Sequence, residues 1–172
     1  TKQGGKAVGV PGTLMGLKKA LDNYGTMTLE DVMTPAIGYM ENGFEISETF
    51  SQMIENNYEK LANWNDPFEI AYLKDGLPLE TGDILIQKDL AKTYREILDK
   101  GIKHLYGGEL GQKIVNAVQA QDGILELQDL KEYQPRLLEP ITGDYRGYDI
   151  FSMPPPSSGG THLIQILNIM EN

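Results

Sequence analysis

The sequence has 172 residues, and 25 acidic against 15 basic side chains give a net charge of −10 at pH 7. Its longest basic cluster is Lys18-Lys19, too little for the electrostatic footprint of a nucleic-acid binder or for holding an anionic membrane. Cysteine is absent and histidine occurs twice, which excludes disulfides, thiolate zinc sites, iron–sulfur clusters, a Cys nucleophile and a multi-histidine metal centre.

The chain begins at Thr1 without Met and no signal peptide heads it. Thr1 to Gly5 carries no apolar anchor and reads as a lead-in. Gly12 to Tyr24 has Leu14, Leu17, Ala20 and Leu21 at helical spacing, with Pro11 in the first turn and Gly25 as the stop. Thr28 caps a second helix, which carries Glu30 and Asp31 in its first turn. Leu29, Val32, Met33, Ala36, Ile37 and Met40 face inward, Pro35 interrupts the helix, and Gly43 ends it. Ser47 caps a third helix, with Phe50, Met53, Ile54, Tyr58 and Leu61 on one stripe.

Asn63 to Pro67 reads as a loop. From Phe68 to Gly82 the pattern is mixed: Asp75-Gly76 signals a turn, and Pro78 and Gly82 oppose a long helix. Asp89 is expected to cap a fourth helix with Leu90, Tyr94, Ile97 and Leu98 inward and Gly101 after it. A short helix is expected through His104 to Tyr106. Another spans Glu109 to Gln121 on Leu110, Ile114, Val115 and Val118, and a last short one spans Leu127 to Tyr133.

After Pro135 the pattern changes. Pro140–Tyr145 and Tyr148–Met153 are β-type runs around an Arg146-Gly147 hairpin turn. Pro154-Pro155-Pro156 ends the second strand, since proline donates nothing to a ladder. Ser157-Ser158-Gly159-Gly160 leads into an apolar helix, Leu163 to Met170, which reads as buried. An apolar run at the end of the chain reads as part of a longer protein. The expected organisation is a helical scaffold over residues 1–134 and a hairpin plus core helix over 135–172. The fold class is helix-rich α/β.

Few residues offer chemistry. Ser157 or Ser158 can cap the last helix, and the free N–H groups there can hold an anion. Ser158 and His162 stand four apart on one helix face, a conceivable nucleophile and base without an orienting acid, and Gly-x-Ser-x-Gly is absent. His104 reads as a half-exposed histidine near a helix end. Glu30-Asp31 and Glu126-Asp129 are explained by helix capping before acid–base work. Tyr145, Tyr148 and Phe151 read as strand core before an aromatic platform.

A series of motifs goes further. Val8-Gly9-Val10-Pro11-Gly12-Thr13-Leu14-Met15-Gly16-Leu17 resembles the VPGT-x-x-G-L stretch of gamma-glutamyltransferases (gamma-glutamyltranspeptidases). Leu29 to Ile37 resembles the family's helix ending in PAI, Asn42-Gly43-Phe44 its G-F step, and Gly82 to Ala91 its GD-x-L-x-Q-x-DLA block. Gly123 to Tyr133, Gly143 to Tyr148 (GDYRGY), Met153 to Gly160 (MPPPSSGG) and Ile166 to Glu171 follow in the family's order.

The resemblance implies an N-terminal-nucleophile hydrolase with an αββα sandwich, made as a precursor that cleaves itself into large and small subunits. The freed N-terminal threonine of the small subunit attacks the gamma-glutamyl carbonyl of donors such as glutathione, with its own α-amine as base. Water or an amine acceptor resolves the acyl-enzyme, and no metal or organic cofactor is implied. This segment corresponds to the middle of the large subunit, so no catalytic residue is expected in it. Gly160-Thr161-His162-Leu163-Ile164 lacks the paired threonine and following serine of the family's Thr-Thr-His-x-Ser motif, so Thr161 is not the nucleophile. The family's substrate-carboxylate arginine falls before Thr1, and Ser157-Ser158 is not its oxyanion-region serine pair.

Pro154, Pro155, Pro156, Ser157, Ser158, Gly159 and Gly160 remain as a structural motif near the site. The implied partners are the rest of the large subunit, the small subunit and small gamma-glutamyl substrates, in a periplasmic or secreted parent. The segment alone is expected to be inactive and, through its last helix, prone to self-association. Alternatives are a catalytically inactive binding module and a related acylase or amidase of the same superfamily.

Overall fold

The structure, a computed structural model, describes residues 4–63 and 70–171. The chain divides into two compact units, Thr1–Gln134 and Pro135–Asn172.

In the first unit a 3-10 turn over Gly5–Ala7 precedes α1 (Thr13–Tyr24) and α2 (Leu29–Asn42). Pro11 lies outside α1, and Gly12 takes the cap position in place of the expected first turn. Leu14 and Leu21 are half-buried, whereas Leu17 and Ala20, expected inward, face out. Gly12 has no side chain to cap with, and a Cβ there would collide with the Tyr133 ring. Tyr106 supplies the missing cap from a distant segment. Its hydroxyl donates to the Pro11 carbonyl at 2.5 Å and accepts the Met15 N–H at 3.2 Å. Its ring stacks on Tyr133 with centroids 6.0 Å apart.

The α2 helix starts with a reciprocal box. Thr28 Oγ1 accepts the Asp31 N–H at 3.1 Å, and the Asp31 carboxylate accepts the Thr28 N–H at 2.8 Å. Met33 and Ile37 are buried and Val32 is exposed, so the apolar stripe is narrower than the sequence suggests. Pro35 sits inside the helix, which continues to Asn42.

The expected third helix is two: α3 (Glu48–Glu55), capped by Ser47, and α4 (Tyr58–Ala62), parted at Asn56-Asn57. Ile54 is buried while Met53 points to solvent. The loop expected at Asn63–Pro67 lies mostly outside the described residues. Two small antiparallel pairs follow, which periodicity does not reveal because each strand has two residues. One is β1 (Phe44–Glu45) with β4 (Ile84–Leu85). The other is β2 (Leu73–Lys74) with β3 (Leu77–Pro78) around Asp75-Gly76. Both turn residues have positive φ, the backbone of a tight hairpin. Ile46, Ile54, Leu73, Leu79 and Leu85 form one core cluster here.

The α5 helix (Lys88–Lys100) begins one residue before the expected cap: Gln87 holds the cap position and Asp89 lies in the first turn. Ala91 and Ile97 are buried and Leu90 is exposed. The α2 and α5 helices share a core of Met33, Ile37, Ala91 and Ile97. On their solvent edge Arg95 grips Glu41 with two bonds of 2.6 and 2.7 Å. A 3-10 turn over Ile102–His104 replaces the expected His104–Tyr106 helix. Then come α6 (Glu109–Gln119), two residues shorter than expected, and α7 (Leu127–Glu132). Val115, Val118, Leu125 and Leu130 pack between them.

The second unit holds β5 (Ile141–Tyr145), β6 (Tyr148–Ser152) and α8 (Gly159–Glu171). The strands pair antiparallel from Ile141↔Ser152 to Tyr145↔Tyr148. Arg146 and Gly147 both take positive φ, the tight turn expected. The α8 helix packs on the hairpin, with Ile164 against Gly143. Leu163, Ile166, Ile169 and Met170 are exposed, contrary to the expectation of a buried helix. A two-stranded hairpin can cover only one side of a helix that is apolar on several.

Two outcomes follow. Tyr106→Phe keeps the ring stack but strands the Met15 N–H and the Pro11 carbonyl, and should lower stability by about 1–3 kcal/mol. Its urea midpoint should fall with an unchanged slope, and an unchanged midpoint would show that the hydroxyl does not act as the cap. Two surface carboxylates are held in their charged form by hydrogen bonds. The Thr28 hydrogen bonds hold Asp31 below its ordinary 3.8, and the Arg95 hydrogen bond holds Glu41 below its ordinary 4.5. A carboxylate depressed on folding stabilises above its unfolded value and loses that contribution as pH falls through its folded value. In urea titrations below the ordinary carboxylate range, Glu41→Gln should therefore lose less stability per pH unit than the wild type.

Candidate functional site

The strand-to-helix connection of the second unit carries the densest motif. After β6 come Met153 and three prolines, with a cis bond between Pro155 and Pro156, then two serines before α8. Proline lacks an N–H, so the strand ladder cannot continue past Ser152. The residues from Pro155 to Gly159 are exposed and Gly160 is buried. A Cβ on Gly160 would press into the Met153 carbonyl and the Ser152 side chain. Glycine here lets the first turn of α8 close onto the end of β6.

The candidates read from the sequence fall into different roles. Ser158 opens α8 through its main chain: its carbonyl accepts the His162 N–H at 3.0 Å. Ser157, Ser158 and His162 are exposed, and among the described residues no side-chain hydrogen bond joins them to one another or to an orienting acid. Without that acid the serine hydroxyl stays a weak nucleophile. Thr161 is half-buried in the first turn of α8, and its nitrogen lies within a peptide bond, so it has no free amine to serve as base.

His104 is not the half-exposed histidine expected. It is 6% exposed, with Nε2 3.4 Å from Glu96 Oε2. The 3-10 turn that replaces a helix there folds the ring back under α5. Asp31 and Asp129 each complete a capping box, Asp129 by accepting the Glu126 N–H at 2.8 Å. Glu30 is exposed in the first turn of α2. The carboxylates thus serve helix starts.

Tyr145, Tyr148 and Phe151 form neither a platform nor a core. Strand parity puts Tyr145 and Tyr148 opposite each other on one face and Phe151 on the other. Tyr148 and Phe151 are 74% and 68% exposed. The Arg146 guanidinium lies 5.0 Å from the Tyr145 ring centroid.

Among the described residues no group of three or more His, Asp or Glu is placed to hold a metal ion. No described helix is long and apolar enough to cross a membrane. An open groove in the first unit has Leu73 and Leu79 in its wall and a Lys74–Asp83 ion pair of 3.6 Å. Sequence reasoning missed Tyr106. Burial raises its phenol pKa, which keeps it a neutral donor. Its partners lie 91 and 95 residues away, and no local pattern signals them.

A family model described as Gamma-glutamyltranspeptidase matches residues 1–172. The chain is 44% identical over 168 residues to a glutathione hydrolase proenzyme of Bacillus subtilis (strain 168), covering 98% of this chain and 28% of that protein. It is 44% identical over 169 residues to the Acylase ACY 1 proenzyme of Pseudomonas sp. (strain V22), with 98% and 30% covered. The crystal structure of Helicobacter pylori gamma-glutamyltranspeptidase is similar with a TM-score of 0.92 and 41% identity, covering 99% of this chain and 49% of that one. The chain therefore spans less than a third of the length of these curated relatives. Its helix-rich α/β fold is shared with solved gamma-glutamyltranspeptidases and with a cephalosporin acylase of Bacillus halodurans. On the match along its whole length and the fold that accompanies it, this chain belongs to the gamma-glutamyltranspeptidase family.

Proposed function

We propose that this chain is a scaffold segment of the large subunit of a self-processing gamma-glutamyltransferase. In the whole protein, a threonine outside these residues attacks the gamma-glutamyl carbonyl of glutathione-type donors. Its freed α-amine takes the hydroxyl proton, the donor's amine leaves, and water or an acceptor amine resolves the acyl-enzyme. The segment's partners are the remainder of the large subunit, the small subunit cut from the same precursor and, at the assembled site, the small gamma-glutamyl substrate. Periplasmic or secreted placement goes with this reading.

The observation that carries it is the match along nearly the whole chain to a proenzyme named glutathione hydrolase, joined to a TM-score of 0.92 against a gamma-glutamyltranspeptidase. Two observations at Pro154–Gly160 support a scaffold role: among the described residues no base or acid is bonded to its serine hydroxyls, and Gly160 packs against the end of β6. The first unit contributes helices and the second a hairpin with its helix, parts suited to the layers of an N-terminal-nucleophile hydrolase sandwich. A second reading, a related acylase, has its own support in the 44% identity to Acylase ACY 1.

The intact masses of the natural protein under denaturing conditions test the reading. Two chains summing to one precursor, the smaller beginning with threonine, are expected. A single uncut chain would count against self-processing and favour an inactive binding module. Hydrolysis of glutathione and of a gamma-glutamyl anilide separates the first reading from the second, which predicts preference for cephalosporin-linked acyl groups. Thr161→Ala, made in the full-length protein, should still self-cleave and keep kcat within about threefold, as expected of a residue making no transition-state contact. Loss of self-cleavage in a folded Thr161→Ala protein would place the nucleophile in this chain after all.

A further inference from the structure

The sequence contains three dipeptides in which glycine follows Asn or Asp: Asn42-Gly43, Asp75-Gly76 and Asp122-Gly123. Glycine leaves its own nitrogen sterically open, so that nitrogen can reach back to the preceding side-chain carbonyl carbon. The attack consumes the glycine N–H. A nitrogen whose hydrogen is already held by an acceptor is withheld until that bond opens.

Two of the three are held. The Gly43 N–H donates to the Tyr39 carbonyl at 2.9 Å where α2 ends, and the Asn42 amide is itself drawn back to the Gly38 carbonyl at 2.9 Å. The Gly123 N–H donates to the Val118 carbonyl at 3.0 Å. The Gly76 N–H has no acceptor among the described residues, and the Asp75 carboxyl has no partner among them. Asp75 is exposed at the apex of the β2–β3 hairpin with φ at +52°, a region that side chains disfavour.

We propose that Asp75-Gly76 is a site of spontaneous aspartyl isomerisation, while the fold protects Asn42-Gly43 and Asp122-Gly123. The Gly76 nitrogen attacks Cγ of the protonated Asp75 carboxyl. An N–Cγ bond forms, the Cγ–OH bond breaks, and the amide hydrogen and the hydroxyl leave as water. Water then reopens the five-membered imide. Opening at Cγ restores aspartate. Opening at the main-chain carbonyl leaves the chain running through Cγ, an isoaspartyl link of unchanged mass, with no oxidant, reductant or cofactor consumed.

The product has one more main-chain carbon in a turn that holds Lys74 opposite Leu77 and Leu73 opposite Pro78. That register cannot survive the added length. Lys74 is then carried away from Asp83, and Leu73 is loosened from its core cluster.

The test ages the folded full-length protein in mildly acidic buffer beside its own proteolytic peptides, which serve as the unfolded reference. Isoaspartate is read by peptide mapping after radiolabelled methyl transfer from S-adenosylmethionine by an isoaspartyl carboxyl methyltransferase. The Asp75 peptide should gain label in the folded protein at a rate within about threefold of the free peptide, and the Asn42 and Asp122 peptides should be slowed at least about tenfold. Asp75→Glu should abolish the first signal and leave the other two unchanged. If folding slows Asp75 as strongly as the other two sites, or if Asp75 gains no label, the proposal is overturned.

Discussion

One buried hydroxyl ties together three distant parts of the first unit. Helix α1 starts on a glycine because the Tyr133 ring occupies the space a side chain would need. The first N–H groups of a helix nevertheless require acceptors, and leaving one buried and unpaired costs about 1–3 kcal/mol. Tyr106 resolves the conflict by accepting from Met15 and donating to Pro11, while its ring stacks on Tyr133. The tight Pro11-Gly12 entry, the 3-10 turn that delivers Tyr106 and the end of α7 are therefore mutually dependent. The exposed Arg95–Glu41 pair binds α2 to α5 with good geometry, but solvent screens it, so it trims the packing of Met33, Ile37, Ala91 and Ile97 and does not create it.

The same economy of roles governs the titratable groups. Carboxylates that might suggest acid–base work close capping boxes at α2 and α7. The buried histidine faces Glu96 of α5. In the second unit, Gly143 and Gly160 permit close approach of α8 to the hairpin, and the prolines stop the strand where the helix must begin. Within the motif, Gly160 packs against the end of β6, and the three prolines offer no N–H to extend the ladder. A serine and a histidine at helical spacing make a catalytic pair only if something orients them, and nothing among the described residues does. The chain's place in the gamma-glutamyltranspeptidase family thus rests on its whole pattern and not on a constellation of reactive groups.

Where the structure departs from expectations drawn from the sequence, the cause is geometric. Asp89 looks like a cap by residue type, yet the backbone turns helical at Lys88 and leaves it in the first turn. Phe151 looks like core, yet strand parity turns it to the face that α8 does not cover. Leu163, Ile166, Ile169 and Met170 read as buried by hydropathy alone, while one hairpin offers too little area to bury them. The two-residue strands β1 to β4 are too short to carry any period, and their pairing depends on contacts across the chain.

The sequence by itself determined that α2, α5 and α6 are helices, the caps at Thr28 and Ser47, the tight turns at Asp75-Gly76 and Arg146-Gly147, and the order of family motifs. These are local matters: hydrophobic period, capping chemistry and backbone permissiveness act over a few residues. Tertiary structure alone decided that Tyr106 caps α1, that His104 lies buried against Glu96 and that Gly12 and Gly160 are needed for close approach. It also decided that the Gly43 and Gly123 nitrogens donate to carbonyls while that of Gly76 meets no acceptor among the described residues. The Tyr106 bonds join groups 91 and 95 residues apart, and the nearer contacts depend on the path the backbone takes between elements, which hydrophobic period and residue type do not record.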